Sequence, residues 1–552
     1  MMGRAMKTYA NFALAGCIAA GAVISLPVHA VTVNKEATGT DLTAGASWVG
    51  GIAPGSGDVA KWGNGDALGG TLTMGSSLSW QGMNVYGASG VITTTGVGTL
   101  TLGGAGISLL GGVNLTVNNH VAVGASQDWV VGSGRTLLIN TTGSTIAFNS
   151  GTTTTLSGAG TVEFGNNRVL TGAGDLVVDG VILSNNLQGG TQTRTGDTYL
   201  NSGTIKISTG VSLFGSGDLH INGGNIGSGN TNRRTIGNTV YVGDDFEVGG
   251  AGVSSGAIQF SGAMDFGSAS RTIMATSIFE INGTVSNAPA LVKTGAGSLV
   301  LGAVNMSGTS LTLSAGGMLL GGNGTATIGS LSGVAGTTIA SNYNLVSNGL
   351  RPLSVNQTVD GEFHGTITNA GGGARSISLT KTGAATLTLT GVNTYDGSTT
   401  VSAGTLKIGG AGQLGGGTYA GAITDNATLH IGTTAAQTLS GTISGSGTLV
   451  KSNSGTLTIS NTGNTFSGTT SVNGGTLNLT GATGSTSKLA VGGGTFSYQR
   501  ATAQTVNGLT VNAGSSTVAN TNSGATNVLN LGAITRSAGG AVNFPTATAA
   551  NN

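Results

Sequence analysis

Gly243-Asp244-Asp245-Phe246-Glu247-Val248 is the densest set of groups in the chain that could move a proton. If this segment is one strand, Val242, Asp244, Phe246 and Val248 share a face, and Asp245 and Glu247 are neighbours on the other. Two carboxylates roughly 7 Å apart could divide the acid and base roles of glycan cleavage. Arg233 and Arg234 stand one short segment upstream. The plainer reading is a solvated strand edge whose charges oppose aggregation. We favour it, and Asp245 and Glu247 remain only weak catalytic candidates.

Other patterns carry less. Gly252-Val253-Ser254-Ser255-Gly256 fits the GxSxG nucleophile elbow, but that motif needs a strand-to-helix turn, and no helical pattern follows. A chain this rich in glycine and serine makes such matches by chance. His120, His220, His364 and His430 are scattered singly, without metal-ligand spacing, and read as surface residues. GAGDLVVDG from Gly172 and GSGDLHING from Gly215 faintly resemble calcium-binding nonapeptides, which work in tandem, whereas these occur once each. Glycine runs lead into strands, so no nucleotide-binding fingerprint is credible. No cofactor or metal is expected. Trp48, Trp62, Trp80 and Trp129 all fall in the first 130 residues. Exposed, they could stack on sugars; buried, they would cap the first rung of a repeat fold, which is the reading we prefer.

The elements that hold these residues are set by an unusual composition. Of 552 residues, 104 are glycine, 5 are proline and 7% are charged, against about 25% charged in ordinary globular chains. Thr, Ser, Asn and Gly must cover the surface instead. The formal charge is +1, and without residues 1–30 the balance is 18 basic to 19 acidic side chains. Such a chain has no basic stripe for nucleic acid. With 38% hydrophobic residues it also lacks the signature of disorder.

Residues 1–30 read as a signal peptide: Arg4 and Lys7, an uncharged apolar run from Phe12 to Leu26, Pro27, then small residues before cleavage after Ala30. The run is short for a membrane anchor, so no transmembrane segment is expected in the mature chain. Leu14-Ala15-Gly16-Cys17 matches a lipobox, a less favoured alternative because the apolar stretch before it is short. Cys17 is the only cysteine, which leaves a mature chain without disulfides. Stability must come from repeated backbone pairing.

Three segments align: LVKTGAGSLVLGAVNMSGTSLTLSAGGMLLGG from Leu291, LTKTGAATLTLTGVNTYDGSTTVSAGTLKIGG from Leu379, and LVKSNSGTLTISNTGNTFSGTTSVNGGTLNLTG from Leu449. Each has lysine third, then alternating strands separated by glycine or asparagine turns; a fainter copy starts at Arg194. In Thr386-Leu387-Thr388-Leu389-Thr390 the leucines share one face and the threonines the other, as in a half-buried strand. Spacings of 88 residues from Lys293 to Lys381 and 70 from Lys381 to Lys451 suit a solenoid that absorbs extra rungs better than a propeller. At about 22 residues per rung and about 4.8 Å between rungs, the rod would be on the order of 110 Å long.

These segments resemble the autotransporter-associated β-strand repeat family, also called passenger-associated transport repeats. RTIGNTVYVGDDFEVGG from Arg234, LTVNAGSSTV from Leu509 and SWVGGIAPGSGDVAKWGN from Ser47 extend the likeness loosely across most of residues 40–552. The resemblance implies an all-β, right-handed parallel β-helix with essentially no helix after the signal peptide. It also implies a passenger at the outer surface of a Gram-negative-type bacterium, with repeats that assist export. Such a chain would be organised as residues 31–130, cap and first rungs; 131–290, divergent rungs; 291–480, recognisable repeats; and 481–552, further rungs. The departure is the end of the sequence, still repeat-like at AITRSAGGAVNFPTATAANN where a self-exporting member would continue into a β-barrel. The sequence is therefore expected to be a piece of a longer protein, or a substrate of separate outer-membrane export machinery. The expected role is structural or adhesive, with a glycan or a host or cell surface as ligand. A carbohydrate-active β-helical enzyme and a passive spacer are the alternatives.

Overall fold

The structure, a computed structural model, describes residues 30–63, 69–140, 143, 145–165, 169–187, 192–210, 213–322, 324–341, 349–369, 375–484, 486–521 and 527–545. Residues 1–29 of the expected signal peptide, Cys17 among them, lie outside the described residues; Ala30, its expected last residue, is exposed.

Alternation drives the architecture. Thr456–Ile459 reads half-buried, buried, half-buried, buried, and the same rhythm recurs in Thr136–Ile139, Thr161–Phe164 and Thr476–Leu479. Each of these strands turns two apolar residues inward and its leading Thr to the outer face. A short strand with one apolar face cannot bury that face alone, so the chain coils and pairs each strand with its equivalent one turn later. The result is an all-β parallel solenoid of about 20 turns. The rod is then roughly 100 Å long at about 4.8 Å per turn. Among the described residues the only helical pieces are two three-residue 3-10 turns, Gly45–Ser47 and Gly415–Gly417.

One face runs the whole length, each strand bonded in series from Gly70–Met74 to Ile534–Arg536. A second begins at Thr32–Asn34 and continues to Val285–Ser286; Asn305–Met306 takes over its place in chain order. The third runs from Arg234–Ile236 to Thr366–Thr368 and again from Thr418–Tyr419 to Gly540–Asn543. The interior is one continuous apolar core from Leu42 to Val518.

Each repeat recognised in the sequence is a corner of the solenoid two turns deep, rather than a rung. In the second, Leu379 and Lys381 pair with Thr399 and Val401 on one face, while Thr386 and Leu387 pair with Thr405 and Leu406 on the next. The first and third repeat this plan, with Lys293 opposite Leu313 and Lys451 opposite Val472. The first and third lysines leave from the long face, whereas Lys381 leaves from the face before it. This change of corner gives the unequal lysine spacings a second cause besides extra rungs.

Candidate functional site

The sequence expectation for Asp245 and Glu247 required one strand, and the backbone breaks it into two. Val240–Val242 and Phe246–Val248 lie on different faces, with Gly243, Asp244 and Asp245 making the corner. Asp244 is exposed instead of facing inward with Phe246. The Asp245 carboxylate accepts the backbone N–H of Thr272 on the next turn at 2.7 Å. Glu247 stands half-buried between Asn225 and Met274 in the ladder, and burial raises its pKa against an opposing hydrogen bond from Thr276. The arginines go elsewhere: Arg233 pairs with Glu280 at 3.1 Å, and Arg234 donates to Ser208 O at 2.6 Å and Asn230 Oδ1 at 2.8 Å. The structure thus separates the carboxylates from the bases they would need.

The tryptophans are all buried, each 0–1% exposed, which removes them as a sugar platform. Trp48, Trp62 and Trp80 form a three-way edge-to-face cluster with centroids 5.7–6.3 Å apart, filling the first turns as a cap would. Trp129 lies further along and donates to Gln127 Oε1 at 2.9 Å. Ser254 of the GxSxG match sits in a loop that leads into the strand Ile258–Phe260, and its hydroxyl donates to Gly229 O at 3.1 Å.

The nonapeptide-like segments are neighbours in space. Asp175, Asp197 of the fainter repeat copy, and Asp218 occupy consecutive turns, and Asp175 and Asp197 each accept the backbone N–H of the next aspartate at 2.9 Å. Beside this ladder Tyr199, His220 and Tyr241 stack with centroids 4.4 and 4.9 Å apart, and His220 Nε2 is 3.5 Å from Asp197 Oδ2. Both faces of the His220 ring are thus spent on the two tyrosines. His120 Nδ1, by contrast, accepts the Thr145 backbone N–H at 3.1 Å and meets the Thr145 hydroxyl at the same distance. No group of three or more His, Cys, Asp or Glu among the described residues is arranged to hold a metal.

The third-position lysine of each repeat turns inward. Alternation puts it on the face of the leucine two residues before, and Lys293, Lys381 and Lys451 are 0–1% exposed. Their ammonium groups meet carbonyls at the corner. Lys293 donates to Gly295 O at 2.6 Å and Ala315 O at 3.0 Å. Lys381 donates to Thr382, Gly383 and Ala403 at 2.7–3.0 Å, and Lys451 to Ser452, Asn453 and Gly474. Burial lowers each pKa to about 8. A Cβ on Gly316 or Gly475 would stand 2.6 or 2.8 Å from the lysine nitrogen, and both glycines have positive φ, +64° and +61°. Lys35 caps Glu36, Thr38 and Gly39 in the same manner near the start. Arg194, fully buried, does so for Gly174 O at 3.2 Å and Asp197 O at 3.0 Å.

A gathering of mixed charge on the long face was invisible in the sequence. Cross-strand register aligns Glu362, Thr388, Lys407 and His430 in one outward column over four consecutive turns. Asp360, Thr386 and Thr405 flank it, and together they line an open groove of about 540 Å³. Asp360 Oδ1 accepts the Thr386 N–H at 2.7 Å, and Glu362 approaches His364 at 3.5 Å. His430 Nε2 shares a hydrogen with Ser452 Oγ at 2.7 Å; burial, then Lys407 and Lys451, lower its pKa, so the ring is neutral at neutral pH. No ion pair among the described residues involves Lys407.

No helix among the described residues is long and apolar enough to cross a membrane. No curated protein and no solved structure matches the chain. A protein-family model does: residues 291–320, 379–408 and 449–479 match the Passenger-associated-transport-repeat, so the solenoid carries three repeats of the kind found in autotransporter passengers.

Proposed function

We propose that this chain is displayed at the outer surface of a Gram-negative-type bacterium as a passenger-like rod whose role is structural or adhesive. The observation that carries the reading is the union of three passenger-associated repeats with an unbroken parallel solenoid. Parallel pairing suits export, because each turn needs only the turn before it as a template and the rod can grow as chain emerges. Its interior lysines, capped by carbonyls instead of disulfides, suit the same route. The long outer face offers threonine hydroxyls and scattered charges to a glycan, a host surface or a cell surface.

The reading is non-enzymatic. Asp245 is engaged as a backbone cap, Arg233 is paired with Glu280, and no ion pair among the described residues involves Asp245 or Glu247. The test is to label intact cells of the bacterium that encodes the chain, which supply its own export route, with antibody against the solenoid, and to sequence the mature terminus. Labelled cells and a chain that starts at Val31 are expected, with no glycan turnover by the purified protein. Retention in the cytosol with residues 1–30 uncleaved would overturn the proposal.

A further inference from the structure

We propose that the groove between Asp360 and His430 is a binding subsite for an acidic disaccharide unit of a polysaccharide. The inference gives a place and a ligand class to the glycan-facing part of the reading above.

The groove is polar at both ends and in the middle. Glu362 and Lys407 stand in one column with Thr388 between them. Two turns therefore separate the carboxylate from the ammonium, about 10 Å, the span of two linked pyranose rings. Thr388 is short where its column neighbours are long, which makes the depression. The order of groups is carboxylates, then hydroxyls, then a cation.

Each end selects. Carboxylates are the strongest hydrogen-bond acceptors a protein offers to sugar hydroxyls, and Asp360 keeps Oδ2 for this while Oδ1 caps Thr386. Glu362 is exposed and turned to the same side. At the other end the Lys407 ammonium is without an ion pair and sits beside a neutral imidazole, so an anionic substituent gains a partner there. A small inorganic anion would satisfy Lys407 but meet repulsion from Asp360 and Glu362. A neutral sugar would leave Lys407 unmatched. A uronic acid linked to a hydroxyl-rich neighbour satisfies both ends at once. The floor of threonines favours a hydroxylated ligand over a peptide, which would need an apolar recess for its side chains. Binding on so open a surface is weak for one unit and gains strength when a polymer engages many displayed copies.

The experiment is isothermal titration calorimetry on the full purified chain with cellobiouronate (glucuronate linked β-1,4 to glucose), cellobiose and a lysyl-glutamate dipeptide as probes. Cellobiouronate is expected to bind, cellobiose to bind about tenfold more weakly, and Lys407→Met to weaken cellobiouronate by about tenfold. Glu362→Gln reads the opposite end and should weaken both sugars by about threefold. Both side chains point outward, and circular dichroism establishes that the variants fold. Absence of cellobiouronate binding, binding unchanged by Lys407→Met, or tighter binding of the dipeptide would each overturn the proposal. Because purified protein is used, such a failure leaves surface display untouched, and cytosolic retention would leave the titrations untouched.

Discussion

Lys381 Nζ donates to the carbonyl oxygen of Ala403 at 3.0 Å, across the gap between one turn of the solenoid and the next. The same ammonium holds Thr382 and Gly383 on its own turn. One side chain thus satisfies backbone acceptors of two successive corners. Lysine suits the position because its ammonium carries three donors on a stem long enough to reach the corner from inside.

Removing that group should be felt locally. Lys381→Met keeps the apolar stem and leaves three carbonyls without their donor, for a loss of about 3 kcal/mol. Hydrogen exchange, followed by mass spectrometry, should speed up in residues 379–410 and stay near wild type in residues 32–85. Uniform protection would show that the lysine is replaceable.

The lysines also set a pH dependence. Burial lowers their pKa from 10.5 to about 8 in the folded chain. Between these values the unfolded chain holds more protons than the folded one, so stability from these groups rises as pH climbs through that window. It is lost again as pH falls through the folded value. The urea midpoint should therefore increase from pH 8 toward pH 10, and the increase should shrink in Lys451→Met. A midpoint that falls over this range in wild type but not in the variant would reverse the assignment.

Asp425 gives the opposite slope. It is fully buried, its Oδ1 accepts the Ala427 N–H at 3.2 Å, and burial raises its pKa to about 6. The folded chain then holds the extra proton between the ordinary value and that one, so stability from this group declines as pH rises through the window. Asp425→Asn should stabilise the protein at pH 7 by on the order of 2 kcal/mol and do little at pH 4. Thermal denaturation at the two pH values measures the difference.

The tryptophan cluster should hold the first turns together. Trp62→Ala opens a cavity between Trp48 and Trp80 and should cost about 4 kcal/mol. Trp62 Nε1 has no hydrogen-bond partner, so Trp62→Phe should lose much less. Limited proteolysis read by mass spectrometry should find new cuts before residue 90 in the alanine variant alone.

Local sequence determined the strands, their inward faces and the passenger-associated repeats, because each depends on residues one to four positions apart. Leu379 and Lys381 share a face by alternation alone, so even the inward lysine was legible, though its charge argues against burial until the corner carbonyls are in place. The break at Gly243-Asp244-Asp245 was less so: a turn and a strand compete over three residues, and pairing with neighbouring turns decides between them. What only the tertiary structure decided is which residues meet across turns. Glu362, Thr388, Lys407 and His430 are 68 residues apart end to end and form one column. Each turn has its own loop lengths, and the register that remains after those loops close appears in no local pattern. The groove exists because parallel pairing stacks whatever each turn happens to place outward.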